Sequence, residues 1–166
     1  MMILVSACLL GINCKYNGDN NNHEIVKKYL KDKKFILVCP EQLGGLPTPR
    51  VPSEILNKNG KIIVKSKDGL DVTEKFISGA YETLKIAKIY NCKEAILKEG
   101  SPSCGCNKIY DGTFSNRKID GSGITAMMLK KEGINIISEK ELEIVKRKNR
   151  RFNIRRYSWI NRNTSK

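Results

Sequence analysis

Three cysteines stand where apolar runs stop. Met2-Ile3-Leu4-Val5-Ser6-Ala7 ends at Cys8, Phe35-Ile36-Leu37-Val38 ends at Cys39, and Ala95-Ile96-Leu97 leads through Lys98-Glu99-Gly100-Ser101-Pro102-Ser103 to Cys104. In an open α/β sheet, ligands bind outside the carboxyl ends of the strands. Three strands that each deliver a thiol to that edge can gather soft sulfur ligands at one point, so the chemistry to expect is metal binding. Zinc and an iron-sulfur cluster both answer to this, and ligand number separates them. A structural zinc wants four ligands, often in close pairs with His. The chain has one His, His23, where a helical pattern begins and a surface or capping role is expected; Cys104-Gly105-Cys106 leaves one residue between its thiols, a poor paired-ligand hairpin. A cluster on three thiolates leaves one iron open as a Lewis-acidic position for a substrate sulfur or oxygen. The residues alone permit either. Cys92 reads as a small buried residue, and Cys14 and Cys106 as auxiliary thiols near the site.

The elements that position these loops follow from periodicity. Met2 to Ala7 reads as a strand, and Glu24 to Lys33 as an amphipathic helix carrying Ile25, Tyr29 and Leu30. Phe35 to Cys39 is a second strand, and the glycines and prolines from Cys39 to Arg50 are read as a loop without regular structure. Lys61-Ile62-Ile63-Val64 reads as a short strand in a small excursion. Asp71 with Glu74, or Thr73, opens a long helix to Tyr90 whose apolar face holds Phe76, Ile77, Ala80, Tyr81, Leu84 and Ala87, with Phe76 and Tyr81 in the core. Ala95 to Leu97 is the strand into the Cys104 loop, and Tyr110 to Phe114 is irregular. Ser122 caps a helix through Glu132, Ile134 to Ile137 is a last strand, and Ser138-Glu139-Lys140-Glu141 is a capping box for a terminal helix. This alternation predicts a single α/β domain with a mostly parallel sheet flanked by helices, in Rossmann-like or flavodoxin-like layering, and with the cysteine loops at the carboxyl ends of its strands.

The chain has 166 residues, enough for one domain with a sizeable core. Its longest apolar stretch is too short to cross a bilayer and has no basic region before it, so a cytoplasmic protein is expected. Thiols stay reduced there, which favours ligands, catalysts or buried small residues over disulfides. The net charge is +14, and nine Lys or Arg residues without any acid fall in 146–166. We read 1–145 as the domain and 146–166 as a basic extension. Phe152, Tyr157 and Trp159 alternate there with Arg150, Arg151, Arg155 and Arg156, a pattern that suits phosphate neutralisation with base stacking, and equally a solvated tail.

Four ordered motifs carry a family resemblance. Ser6-Ala7-Cys8-Leu9-Leu10-Gly11, Cys39-Pro40-Glu41 with Gly44-Gly45-Leu46-Pro47 and Pro49-Arg50, Ser101-Pro102-Ser103-Cys104-Gly105, and Tyr110-Asp111-Gly112-Thr113-Phe114 resemble the thiouracil desulfurase family, formerly domain of unknown function 523. The resemblance spans about residues 2 to 138. It implies a non-redox desulfidase in which a 4Fe-4S cluster on three cysteines takes the sulfur of a thiolated pyrimidine and water replaces it on the base. By motif, Cys8, Cys39 and Cys104 would be the cluster ligands. Hydrolysing a C=S bond needs a group that deprotonates water and protonates the ring, and Glu41 is the acid that the sequence sets beside a ligand. The resemblance favours Ser101 as a catalytic-site residue. Ser103 is a candidate donor to substrate or cluster, with turn formation as the plain alternative for both serines. Arg50 is a candidate to orient a base oxygen or a phosphate, or a solvated charge; Asp111 shapes the pocket or makes a turn. The substrate would be 2- or 4-thiouracil or thiouridine, with tRNA a candidate partner for the basic segment. Two other classes compete: an RNA-binding protein with a structural metal site, and a persulfide-carrying sulfurtransferase with one low-pKa cysteine.

Overall fold

The computed structural model describes residues 1–58 and 60–144. Four parallel strands form the main sheet in the order β2-β1-β5-β8: β1 is Met2–Ser6, β2 Lys34–Val38, β5 Glu94–Leu97 and β8 Asn135–Ser138. Helices cover both faces, as a buried parallel sheet requires. On one face Ile3, Val5 and Ile96 pack with Val26 and Leu30 of α1 (Glu24–Leu30) and with Leu142 of the helical stretch 139–144. On the other, Leu4, Val38, Ala95 and Leu97 meet Leu84 and Ala87 of α3 (Thr73–Ile89) and Ala126 and Leu129 of α4 (Ile124–Lys131). The expected fold class is the one observed. The expected boundary at residues 145 and 146, and the whole basic segment, lie outside the described residues.

Several local expectations are corrected. Pro40–Leu43 is not loop but a short helix, α2, with Cys39 at its N-cap. Proline at the first helical position is pre-set for a helix and gives up an N–H that has no partner there. The excursion contains two strands rather than one: β3 (Ser53–Lys58) pairs antiparallel with β4 (Lys61–Ser66). The stretch around Tyr110 is likewise a hairpin, β6 (Lys108–Tyr110) with β7 (Lys118–Asp120). Both were hidden because polar residues interrupt their alternation. Tyr81 is 55% exposed and so leaves the core that Phe76 occupies. Ser122 does not cap α4, whose N-cap is Gly123; its hydroxyl donates to the Cys106 carbonyl at 2.8 Å. Asp71 receives the Thr73 N–H and hydroxyl, while Val72 takes the N-cap position of α3 without a side-chain cap. The capping box at Ser138 and Glu141 forms as read, with Ser138 N–H to Glu141 Oε2 at 2.7 Å and Glu141 N–H to Ser138 Oγ at 3.2 Å.

Candidate active site

The three cysteine-bearing connections leave adjacent strands at the same end of the sheet. After β1 the chain enters a 3-10 turn, Ala7–Leu10, that carries Cys8; after β2 it passes Cys39 into α2; after β5 it enters the Gly100 to Asn107 loop that carries Cys104. Cys8, Cys39 and Cys104 all line one cavity of about 470 Å³, and Cys14 joins them. All six cysteines are free thiols. Cys106 and Cys92 are buried away from the cavity, and the Cys106 Sγ lies 3.6 Å from the Cys104 carbonyl.

Cys14 organises the thiols. The Cys39 Sγ donates to the Cys14 backbone carbonyl at 3.7 Å, and interaction with the Cys14 side chain lowers the pKa of Cys8 and brings that of Cys39 down to about 7, while that of Cys14 is pushed far up. Cys14 therefore keeps its proton more firmly than its two neighbours, which are shifted toward the thiolate form. Burial raises Cys104 well above the ordinary thiol range; a bound cation would reverse that. Among the described residues no three His, Cys, Asp or Glu side chains close on a point that would hold a single ion, so these thiols surround a volume instead.

Glu41 sits in the first turn of α2, and its two oxygens have different partners. Oε2 accepts from Arg50 Nε at 2.7 Å, and Oε1 faces the Ser101 hydroxyl at 3.4 Å. Ser101 Oγ also accepts the N–H groups of Ser103 and Cys104 at 3.1 and 3.0 Å, so the serine both shapes the Cys104 turn and points at Glu41. Arg50 donates further to the carbonyls of Pro47 and Cys14 and to Thr48 Oγ1, so its guanidinium braces the Glu41 and Cys14 loops. Ser103 points inward to Thr125 Oγ1 at 2.9 Å and does not line the cavity. Asp111 makes a turn with Thr113, whereas Tyr110 and Phe114 on either side of it reach the cavity wall. Arg150, Arg151, Arg155 and Arg156 lie outside the described residues.

Besides Glu41, the acid that the sequence sets beside a cysteine, Glu99 and Glu54 line the same cavity. Glu99 Oε1 accepts the N–H groups of Gly100, Cys106, Asn107 and Lys108 at 2.9 to 3.2 Å, closing the loop that presents Ser101 and Cys104. Its signal was present: an acid followed by a Gly-rich turn full of amide donors. His23 is not a surface residue. It occupies the N-cap of α1, and its Nε2 pairs with Glu143 Oε1 at 3.0 Å.

A family model described as 2-thiouracil desulfurase matches residues 3–141, a span that contains every cavity-lining cysteine. The chain belongs to the 2-thiouracil desulfurase family. A relative from Bacillus subtilis (strain 168), called uncharacterized protein YbbK, is 51% identical over 149 residues, covering 85% of this chain and 97% of that protein. Among solved structures, one described as the [4Fe-4S]-dependent thiouracil desulfidase TudS is 39% identical with a TM-score of 0.77, over 86% of this chain and 93% of that one. The desulfurase cavity can therefore be read against a donor set of soft sulfurs, which suits iron-sulfur ligation better than hard-cation binding.

Proposed function

We propose that the chain is an iron-sulfur-dependent desulfidase that converts the C=S group of a thiolated pyrimidine to C=O without net redox change. The observation that carries this reading is the meeting of Cys8, Cys39 and Cys104 on one cavity wall with the Glu41 and Ser101 pair. The thiols fit a 4Fe-4S cluster: they come from three adjacent strands, are free, and include two whose pKa values are lowered. When bound, such a cluster supplies a Lewis-acidic iron with affinity for the departing sulfur. Water adds its oxygen to the ring carbon and the sulfur departs as sulfide. Net, C=S and water give C=O and hydrogen sulfide: Glu41 takes one proton as the water oxygen adds and returns it by way of the ring to the departing sulfur, and the second water proton leaves with the sulfide as C=O forms. Arg50 holds one Glu41 oxygen so that the other faces Ser101. Ser101 orients the water or the substrate through its hydroxyl.

The substrate is free 2- or 4-thiouracil or thiouridine within tRNA, with the basic segment 146–166 as the RNA contact in the last case. The test is anaerobic reconstitution followed by turnover of both thiouracils. The Glu41→Gln variant keeps the shape but cannot move the proton, so it should retain its iron while turnover falls on the order of 100-fold or more. Near-normal turnover in that variant would take the proton-transfer role away from Glu41. A fully loaded wild type that turns over neither base would overturn the function.

A further inference from the structure

Glu54 is an acid that the proposed chemistry does not use. It lies in β3, opposite Lys65 of β4, and is 8% exposed. Alternation along β3 sends Ile55 into the core cluster with Val64 and Phe76, and turns Glu54 toward the Tyr110 to Phe114 loop and the cavity. One oxygen is fully engaged there: Oε2 accepts the N–H groups of Gly112 at 2.9 Å and Phe114 at 3.0 Å. Gly112 is held against β3 so closely that a Cβ would meet Leu56 Cγ at 2.8 Å, which fixes the loop to the strand. Among the described residues Oε1 has no hydrogen-bond partner, and it is not sealed from solvent either. Glu54 therefore lines the cavity with a carboxylate anchored through Oε2 by two amides, which leaves Oε1, among the described residues, as an acceptor without a protein partner.

We infer that Glu54 determines the choice of pyrimidine by accepting the N3–H of the thiolated ring. This rests on the desulfidase reading. N3 lies between C2 and C4, so it is adjacent to the C=S bond in either isomer. A uracil-type ring carries a proton on N3, whereas a cytosine-type ring presents a lone pair there and would face the Glu54 oxygen acceptor to acceptor. An unmatched polar group in a desolvated site is costly, so selection by this contact should be large.

The two amide donors make the test sharp. In Glu54→Gln the side-chain carbonyl must take the place of Oε2, because Gly112 and Phe114 offer only N–H groups. The amide NH₂ then faces the cavity, and an acceptor becomes a donor. Binding of 2-thiouracil and 2-thiocytosine to loaded wild type and variant, measured by calorimetry beside iron content and melting temperature, reads the exchange. The wild type should prefer 2-thiouracil; the variant should lose on the order of 10- to 100-fold in that affinity and gain for 2-thiocytosine. Unchanged selectivity in a folded, loaded variant overturns the assignment. N3-methyl-2-thiouracil provides a check that needs no variant: wild-type binding equal to that of 2-thiouracil overturns it as well. Desulfuration is scored separately, so a protein that binds selectively without turnover refutes the reaction and keeps the Glu54 contact, and one that binds neither base refutes both.

Discussion

Of the six thiols, Cys14 has the most consequential neighbours. Its carbonyl accepts both the Cys39 Sγ at 3.7 Å and Arg50 Nη2 at 3.0 Å, which links the thiols to the Glu41 pair. On the proposed ligand set, Cys14 would tune and position the sulfurs of Cys8 and Cys39 without itself being required for ligation. Serine substitution at Cys8, Cys39 or Cys104 should therefore abolish iron binding, whereas Cys14→Ser, which keeps a donor, and Cys106→Ser should retain it. Iron and labile-sulfide analysis checks this. Full loading of Cys39→Ser would refute the ligand set, and loss of iron from Cys14→Ser would make Cys14 a ligand. A persulfide enzyme would behave differently, since its turnover would depend on one nucleophilic cysteine.

At the scale of elements, α2 is placed by a glycine contact. A Cβ on Gly79 of α3 would collide with the Pro40 carbonyl, and one on Gly44 would collide with the Lys75 carbonyl. The close crossing sets α2 where Cys39 and Glu41 reach the cavity. Gly79→Ala must push the two helices apart, at a cost of about 1 to 3 kcal/mol. Chemical denaturation should show the loss of stability, and iron content should fall with it because Cys39 moves. An unaltered variant would mean that the crossing can relax freely. The Cys104 loop depends instead on Glu99. Burial pushes the Glu99 carboxyl up, but the N–H groups of Lys108, Asn107 and Gly100 and the Asn107 side chain outweigh it and hold it below the usual range. A carboxyl depressed in the folded state adds stability above its unfolded pKa, and that stability is lost as pH falls through the folded value. Glu99→Gln should therefore melt below the wild type at neutral pH, and the gap should close as the pH is taken into the acid range. A gap of constant size would refute the linkage.

Over the whole molecule, the cavity draws basic residues of its own, Lys15, Arg50, Lys67, Lys98 and Lys118, from the domain, while nine of the 31 Lys and Arg residues crowd into 146–166 without an acid. If RNA is drawn to the protein by that segment, neutralising Arg150, Arg151, Arg155 and Arg156 together should weaken RNA binding and flatten its salt dependence by about 0.7 to 0.9 log units per lost phosphate contact. Turnover of free thiouracil should hardly change. An unchanged salt slope would leave the free base as the substrate. The sequence by itself determined the parallel sheet and the three cysteines at its edge, because a buried strand is a contiguous apolar run and the residue that ends it is visible in one dimension. It also determined the terminal capping box, which is a contact between near neighbours. Only the tertiary structure decided that of the two auxiliary thiols Cys14 joins Cys8 and Cys39 at the cavity and Cys106 does not, that Arg50 braces Glu41, that Ser103 faces Thr125, and that Glu54 and Glu99 share the cavity. Most of these contacts join residues far apart in the chain, and in each a polar side chain is assigned its role by the packing of separate elements, which carries no local periodicity for a sequence to display.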